Sequence, residues 1–262
     1  MNHAFHVVIP ARMGSTRFFG KPLVDIAGRA MVLRVVEQAL AAGADSVIVA
    51  TDHEAIFKCV TDAGYLAHMT DADHPSGTDR IAQVAVERGW HDNDIVVNVQ
   101  GDEPAIEPDL IAAVAASLHA SSDSVMSTAA HALSSAADFL NPNIVKVVMD
   151  DANHALYFSR APIPYPRDVM RATYGETLTA LPHDLPALRH MGIYAYRVGF
   201  LKQYGQLPVS ILEQYESLEQ LRVLANGHSI SVHVSDAAAA PGVDEPTDVA
   251  LVEAYLQARA GR

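Results

Sequence analysis

The sequence predicts an α/β fold with a mostly parallel sheet covered by helices on both faces. Short apolar, β-branched runs alternate with helix-length amphipathic stretches through residues 1–120. Residues 94–99, DIVVNV, are nearly all apolar, as expected of a strand that is buried on both faces. The chain has 262 residues and is 50% hydrophobic, which is enough to bury the core of such a domain.

The first part of the chain is predicted to run β-α-β-α-α-β-α. Strands are predicted at residues 6–10, 46–51 and 94–99. Helices are predicted at residues 30–43, 53–64, 80–89 and 108–120, where apolar residues recur at helical spacing. The helix boundaries have plausible signals: Gly43 after the first helix, Asp52 before the second, Ser76 or Thr78 before the third, and Pro108 at the start of the fourth.

The second part has more strands than helices. Strands are predicted at 124–132, 144–150 and 155–160, and the Pro-rich, polar residues 162–188 are expected to form an exposed loop. A strand at 191–197, a helix at 212–227, a strand at 229–234 and a helix at 246–260 complete the chain. We therefore expect one α/β domain, residues 1–262, with a mixed-sheet insertion at about 123–205.

Composition excludes several classes of function. The net charge of −13 argues against a nucleic-acid partner, because a phosphate backbone needs clustered Lys and Arg. No apolar run reaches the roughly 18 residues of a membrane span, and the N-terminus lacks a signal-peptide pattern. A single cysteine, Cys59, allows neither an intrachain disulfide nor a cysteine metal cluster. We expect a cytoplasmic protein with no membrane partner.

A basic loop, PARMGSTRFFGKPL, follows the first strand. Backbone amides at Gly14, Ser15 and Thr16 can face an anion, and Arg12, Arg17 and Lys21 supply charge for a triphosphate. The loop is not a Walker motif, which has four residues between its glycines and a Ser or Thr after the lysine. Here five residues separate the glycines, and Pro22 places Lys21 on an extended segment. The alternative is a solvated basic loop.

Two acidic turns, QGDEP and GVDEP, follow predicted strands. Asp102 and Asp244 could hold Mg²⁺ between them, since Mg²⁺ binds one or two carboxylates together with substrate phosphates. Glu103 and Glu245 are weaker candidates, expected to be structural or to face solvent. The alternative is that both turns simply expose their acids.

A third polar turn, HPSGTDR, lies at the start of a predicted helix. Its free amides and Arg80 can meet a base edge or a phosphate, although a simple helix cap explains Ser76 or Thr78 equally well. The 13 histidines include no His-Glu-x-x-His motif. His190 is the best candidate for a polar contact because it precedes a strand expected to face the cleft, and a structural role is the alternative.

Taken together, these stretches resemble the CMP-Kdo synthetases, the 3-deoxy-manno-octulosonate cytidylyltransferases of lipopolysaccharide biosynthesis. The matching stretches run in family order from residue 8 to about 248: IPARMGSTRFFGKPL, ATDH, HPSGTDR, NVQGDEP, NPNIVKVV, ALYFSRAPIP, RHMGIYAYR, LEQYESLEQLR and PGVDEPTD. The resemblance implies a nucleotide-diphospho-sugar transferase (Rossmann-like) fold, Mg²⁺ dependence, a homodimer, and CTP and Kdo as substrates. The mixed-sheet segment would then serve dimerisation and sugar binding.

The resemblance also implies roles for individual residues. The implied catalytic residues are Arg12, Lys21, Asp102 and Asp244, of which Asp102 and Asp244 hold the metal. The implied nucleotide-binding residues are Ala11, Arg12, Lys21, Ser76, Gly77, Arg80 and Gln100. The implied sugar-binding residues are Gln100, Arg160, His190, Tyr194, Glu213 and Gln220.

The implied reaction is an in-line attack of the sugar's anomeric hydroxyl on the α-phosphorus of CTP, which needs no covalent nucleophile. Three alternatives remain: a cytidylyltransferase for 8-amino-Kdo or sialic acid, a P-loop NTPase, which Pro22 disfavours, and a non-catalytic nucleotide sensor. Phe18 and Phe19 depart from the family, which has an apolar residue and then proline there. They are expected either to pack inward or to close over the nucleotide.

Overall fold

The computed structural model describes residues 4–14, 18–172 and 178–260. Ser15, Thr16 and Arg17 of the basic loop lie outside these ranges. The described strands are β1 (His6–Ala11), β2 (Asp25–Ile26), β3 (Arg29–Ala30), β4 (Ser46–Thr51), β5 (Leu66–Met69), β6 (Ile95–Asn98), β7 (Ser124–Ala132), β8 (Lys146–Met149), β9 (Ala155–Ser159), β10 (Leu188–Arg197) and β11 (Ser229–Ser235).

The described helices alternate with these strands. They are α1 (Met31–Ala41), α2 (Glu54–Asp62), α3 (Gly77–Glu87), α4 (Pro108–Ala120), α5 (Ala136–Leu140), α6 (Arg167–Ala172), α7 (Val198–Tyr204), α8 (Ile211–Glu216), α9 (Gln220–Ala225) and α10 (Asp248–Ala260), with a 3-10 turn at Lys21–Leu23. No helix in the described ranges combines the length and the apolar character that a membrane span requires.

One nine-stranded sheet organises the molecule, in the order β11-β7-β10-β6-β1-β4-β5, with β8 beside β10 and β9 beside β8. Strand β1 pairs in parallel with β4 and with β6, and β4 pairs in parallel with β5. Strand β11 is parallel to β7. Strand β10 runs antiparallel to both β6 and β7. Strand β8 is antiparallel to both β10 and β9, so four of the eight pairings among the described strands of this sheet are parallel and four are antiparallel. The parallel strands β1, β4, β5 and β6 with their helices, extended by antiparallel strands, confirm the predicted α/β fold class.

Both faces of the sheet are buried. Val7 and Ile9 of β1 pack with α1 and α4 on one face, and Val8 packs with α3 and α7 on the other. Side chains of a strand alternate between the two faces, so a central strand must be apolar at every position. That requirement explains the uninterrupted apolar runs of β1 and β6.

Several element predictions were wrong in detail. A short edge strand, β5, lies between α2 and α3 where two successive helices were expected. The helix expected at 212–227 is two helices, broken at Ser217, which has φ 52°. The cap of α2 is His53, whose ring accepts from the Ala55 N–H, while Asp52 binds elsewhere.

The predicted insertion at about 123–205 spans β7 to α7. Strands β7 and β10 of this segment lie in the same sheet as β1 and β6, and the β8–β9 hairpin is joined to them through β10. A boundary between this segment and the rest of the domain stays a prediction.

Candidate active site

The carboxyl ends of β1 and β6 lie side by side, which is where ligands bind in open α/β sheets. The chain turns sharply after β6, and Gly101 passes directly against β1. A Cβ at Gly101 would lie 2.9 Å from the carbonyl oxygen of Pro10, closer than such atoms can approach. Glycine at 101 therefore allows the loop that carries Arg12 and the turn that carries Asp102 to leave the same edge.

Lys21 joins three separate segments at this edge. Its Nζ donates to Asp102 Oδ2 at 2.7 Å and to the Val243 carbonyl at 2.9 Å, and lies 3.9 Å from Asp244 Oδ1. The Val243 N–H donates to the Asp102 carbonyl at 2.9 Å. The structure thus brings together Lys21, Asp102 and Asp244, three of the four residues that the family resemblance implied to be catalytic.

The backbone around Lys21 differs from the expected extended segment. Lys21 begins a 3-10 turn after Gly20, which has φ 72° in the left-handed region. Pro22 occupies the second position of the turn, where its missing N–H removes no helical hydrogen bond. The proline is compatible with this short turn, and a Walker-type helix start is absent from the described backbone.

Glu103 lies largely buried next to these carboxylates, whereas it was expected to be structural or to face solvent. Burial first, and then the charges of Asp102 and Asp244, raise the pKa of Glu103 to about 7. Arg189 and Lys21 act in the opposite direction. Burial beside two other carboxylates therefore favours the protonated form of Glu103.

The residues predicted to bind the nucleotide lie around the end of β1. Ala11 is buried, so its backbone is the part that can meet a ligand. Arg12 Nη2 donates to the His74 carbonyl at 3.2 Å, and Gly77 begins α3 beside Pro10. Ser76 caps α3, since its Oγ accepts from the Asp79 N–H, which confirms one of the two predicted caps.

Arg80 is fully buried, and its guanidinium is engaged within the protein. Nη2 donates to Asp52 Oδ2 at 2.7 Å, and Nη1 donates to the Thr70 hydroxyl. Burial lowers the pKa of Arg80, although Asp52 favours its charged form. These contacts connect α3 to the end of β4, and direct contact between Arg80 and a nucleotide stays a prediction.

A cavity of about 380 Å³ adjoins the carboxylates. Its lining includes the predicted residues Gln100, Tyr194 and Gln220, together with Asp102. The Tyr194 hydroxyl donates to Gln220 Oε1 at 3.3 Å, while the Gln220 Nε2 has no hydrogen-bond partner among the described residues. A buried amide N–H without a partner is costly, so this cavity favours a polar ligand with an acceptor.

The other predicted sugar-binding residues lie outside this lining. His190 borders a neighbouring groove of about 940 Å³ that also reaches Gln100 and Asp244. Its Nε2 lies 2.9 Å from Thr128 Oγ1, and burial lowers the pKa of His190 to about 3, so the ring is neutral. Glu213 is buried and accepts from Arg222 Nε at 2.9 Å and Nη2 at 2.5 Å.

Arg160 lies at the end of β9, against the segment that lines the cavity. Its Nε donates to the Glu216 carbonyl at 2.7 Å, and Ser217 to Gln220, which follow Glu216, all line the cavity. Arg160 itself is absent from that lining as far as the described residues define it.

The comparison with family models decides the family. Residues 6–230 match the model described as cytidylyltransferase. The chain belongs to the cytidylyltransferase family.

Two relatives support this assignment over the whole chain. The cytidylyltransferase is 52% identical over 253 residues to a 3-deoxy-manno-octulosonate cytidylyltransferase of Herminiimonas arsenicoxydans, covering 97% of this chain and 99% of the relative. It is 41% identical to a CMP:2-keto-3-deoxy-manno-octonic acid synthetase solved in complex with CTP, with a TM-score of 0.87. That match covers 98% of this chain and 100% of the solved chain.

Cytidylyltransferases generally use a divalent metal ion, and the residues of this one fit such an ion. Asp102 and Asp244 both approach the Lys21 ammonium, at 2.7 Å and 3.9 Å, and their side chains are 35% and 63% exposed. No group of three or more His, Cys, Asp or Glu side chains within the described ranges is arranged to hold a metal. Two carboxylates would leave the remaining coordination positions to water and substrate phosphate, the usual arrangement for a hard divalent ion.

Sequence reasoning missed several cavity residues of this cytidylyltransferase, among them Asn98 and Glu219. Asn98, at the end of β6, lines the cavity, and its buried Oδ1 has no partner among the described residues. Glu219 also lines it, and burial raises the pKa of Glu219. Asn98 was detectable because it interrupts the apolar residues 95–99, and Glu219 because it is the neighbour of Gln220.

The two phenylalanines of the basic loop behave differently. Phe18 packs against a small core cluster that contains Ile26, Met31 and Val243. Phe19 is 75% exposed. The expectation of inward packing therefore holds for Phe18, and closure of Phe19 over a nucleotide stays a prediction.

Proposed function

We propose that this cytidylyltransferase transfers CMP from CTP to the anomeric hydroxyl of Kdo, giving CMP-Kdo and pyrophosphate. The observation that carries the proposal is the convergence of Lys21, Asp102 and Asp244 beside the cavity that holds Tyr194 and Gln220. Such a site can hold a phosphate chain and a polyhydroxylated acid next to one another. The names of the two relatives favour Kdo as that acid.

The nucleotide would be held by cations and backbone amides at the end of β1. Arg12 and Lys21 neutralise the β- and γ-phosphates, and this charge stabilises pyrophosphate as the leaving group. Ser76 and Gly77 lie at the start of α3, where the first backbone amides of a helix can meet a phosphate. Binding of both reactants in one orientation supplies the main rate gain, because no covalent intermediate is needed.

The proposed metal ion is Mg²⁺, held by Asp102 and Asp244. When bound, it supplies positive charge at the α-phosphate and favours ionisation of the attacking hydroxyl. The protein's part is to present two carboxylates on neighbouring turns, fixed relative to each other by the Val243–Asp102 backbone hydrogen bond.

The sugar acid would occupy the 380 Å³ cavity and its surroundings. Arg160 suits the sugar carboxylate because guanidinium donors match carboxylate geometry. The proposed hydroxyl partners are Gln100, His190, Tyr194, Glu213 and Gln220. The predicted homodimer and the cytoplasmic location stay predictions.

Pyrophosphate release tests the proposal. Purified protein is assayed with CTP, Mg²⁺ and a panel of Kdo, 8-amino-Kdo and sialic acid, with a sample lacking any sugar acid as control. We expect release that depends on Kdo and is highest with it. Absence of Kdo-dependent release overturns the proposal, and release with sialic acid or 8-amino-Kdo alone supports the alternative acceptor.

Asp102→Ala tests the site assignment in the same assay. Loss of one metal carboxylate should lower kcat by about 10²–10³ at saturating Mg²⁺, while the thermal midpoint stays near that of the unsubstituted chain. Asp62→Ala, on the exposed surface of α2, is the matched control and should retain full activity. Substantial activity of Asp102→Ala would contradict the metal assignment.

A further inference from the structure

Lys146, at the start of β8, is a fully buried cation away from the proposed metal site. Its ammonium has three N–H donors, and three backbone carbonyls accept them: Asn141 at 3.0 Å, Ile144 at 2.7 Å and Arg160 at 2.6 Å. Burial lowers the pKa of Lys146, and the nearby Glu216 favours its charged form. Burying a charge costs desolvation free energy, so the net contribution of Lys146 to stability is expected to be small. Its three hydrogen bonds nevertheless hold three backbone carbonyls in place.

Glu216, the last residue of α8, holds the same segment from the other side. One carboxylate oxygen accepts from Ser159 Oγ at 2.6 Å, and the other accepts from the Arg160 N–H at 2.9 Å. The Glu216 carbonyl also accepts from Arg160 Nε at 2.7 Å. Charge-assisted hydrogen bonds of this kind are the stronger ones in proteins.

The backbone and one side of the Arg160 guanidinium are therefore fixed. The Arg160 carbonyl is held by Lys146, its N–H and Nε by Glu216, and its Nη1 by the Pro142 carbonyl at 3.1 Å. A guanidinium has five N–H donors, and within the described part of the chain these contacts engage the Nε donor and one at Nη1. Donors at Nη1 and Nη2 stay available in a defined direction, as a carboxylate ligand requires.

We propose that Lys146 and Glu216 are positioning residues that clamp Arg160 for the carboxylate of the sugar acid. The inference rests on the proposed function, because it needs Arg160 to bind the substrate. Neither residue lines the cavity as the described residues define it. Glu216 also precedes Ser217, so the same clamp joins Arg160 to the cavity segment 217–220.

Steady-state kinetics of Glu216→Gln and Lys146→Met test the clamp. Glutamine keeps the size of Glu216 but loses its charge and one acceptor, and methionine keeps the length of Lys146 but loses all three donors. We expect the KM for Kdo to rise about tenfold in each variant, with kcat and the KM for CTP changed by less than about twofold. Glu54→Gln and Lys58→Met, both exposed on α2, are the matched controls and should leave all three constants unchanged.

A second measurement separates positioning from a general structural effect. In the Arg160→Met background, adding Glu216→Gln should raise the KM for Kdo no further, because the residue through which Glu216 acts is gone. Three outcomes overturn the inference. The KM for Kdo is unchanged in Glu216→Gln, or the KM values for Kdo and CTP rise equally, or Glu216→Gln raises the KM for Kdo just as much in the Arg160→Met background. If Lys146→Met does not fold, the inference is decided by Glu216→Gln measured alone and in the Arg160→Met background. Absence of Kdo-dependent pyrophosphate release by the unsubstituted chain instead overturns the proposed function, and the inference with it.

Discussion

At the scale of single residues, Glu103 shows how strongly the fold changes one side chain. It lies largely buried beside Asp102 and Asp244, and its pKa rises from the ordinary 4.5 to about 7. The folded protein therefore binds a proton at Glu103 in a pH range in which the unfolded chain does not.

The Glu103→Gln variant should reveal the proton bound by Glu103 through the pH dependence of the free energy of unfolding. The pKa of Glu103 is higher in the folded protein than in the unfolded chain. Protonation of Glu103 therefore stabilises the folded state fully below pH 4.5, and this stabilisation is lost as the pH rises through about 7. Wild type should therefore lose about 3 kcal/mol relative to Glu103→Gln between pH 4.5 and pH 8. The measurement is urea unfolding in EDTA across this range.

A comparison of the two proteins isolates Glu103 from other titrating groups. His190 acts in the opposite direction, because its lowered pKa makes stability fall as the pH drops below about 6.5, but it is present in both proteins. Glu54→Gln, at the exposed start of α2, is the control for the loss of a carboxyl group from the surface. If the free energy of unfolding depends on pH in the same way in Glu103→Gln and wild type, the raised pKa of Glu103 is contradicted.

The sequence allowed some of these residue positions to be predicted and not others. Lys21, Asp102 and Asp244 were predictable because each follows a strand or sits in a turn, and strand ends meet at one edge. The burial of Glu103 was not, because its neighbours include Gly242, which lies against the Glu103 carboxyl and comes from far along the chain. The ion pair between Arg80 and Asp52 was not predictable either, since the two residues lie 28 positions apart in the sequence.

At the scale of elements, the break between α8 and α9 is the clearest departure from the predicted helix 212–227. The apolar spacing of this stretch is helical throughout, and the sequence has neither Gly nor Pro at the break. Ser217 nevertheless adopts φ 52° and ψ 52°, and it lines the cavity. Tertiary contacts made by Glu216 and Gln220 on either side outweigh the local preference for one continuous helix.

Substitutions at Ser217 should report this left-handed backbone. Ser217→Gly should raise the free energy of unfolding by about 0.5–1 kcal/mol, because glycine adopts the conformation without strain. Ser217→Val should lower it by about 1–2 kcal/mol, because a β-branched side chain clashes in this region. Urea unfolding measures both.

Ser122 provides the matched site. It is an exposed serine, and it is not one of the described residues whose φ is positive. Glycine should be destabilising there by a few tenths of a kcal/mol. If glycine has the same sign at both sites, the strain argument for Ser217 is wrong.

At the scale of the whole molecule, ligand binding should stabilise the folded state through all three segments that meet at Lys21. At a CTP concentration 100 times its Kd, binding adds about 2.7 kcal/mol to the free energy of unfolding. For a chain of this size, that corresponds to a rise in Tm of about 5–10 °C. Differential scanning fluorimetry with CTP and Mg²⁺ measures the shift, and EDTA should remove most of it.

Two comparisons make the thermal experiment specific. Asp102→Asn should retain the fold and lose the part of the shift that depends on Mg²⁺. ATP at the same concentration should give a smaller shift than CTP. A shift that is equal for ATP and CTP, or one that EDTA leaves unchanged, contradicts the proposed site.

The overall architecture was predictable as far as local patterns determine it. The apolar runs of β1, β4 and β6 and the helices between them required a parallel sheet. The antiparallel position of β10 between β6 and β7 was not accessible, because β10 and β6 are about 90 residues apart and no local signal encodes that pairing. The edge strand β5 has only four residues, with Leu66 and Met69 exposed, so it lacked the alternation that identifies a strand.

The contact between Gly101 and Pro10 limits how sequences with this site can diverge. Even the methyl group of alanine at position 101 would collide with the carbonyl oxygen of Pro10, so a substitution there must displace the turn that carries Asp102 from the end of β1. The side chain of Phe19 is 75% exposed and meets no such restriction. Over evolutionary time, position 101 should therefore stay fixed in active descendants of this chain while position 19 drifts.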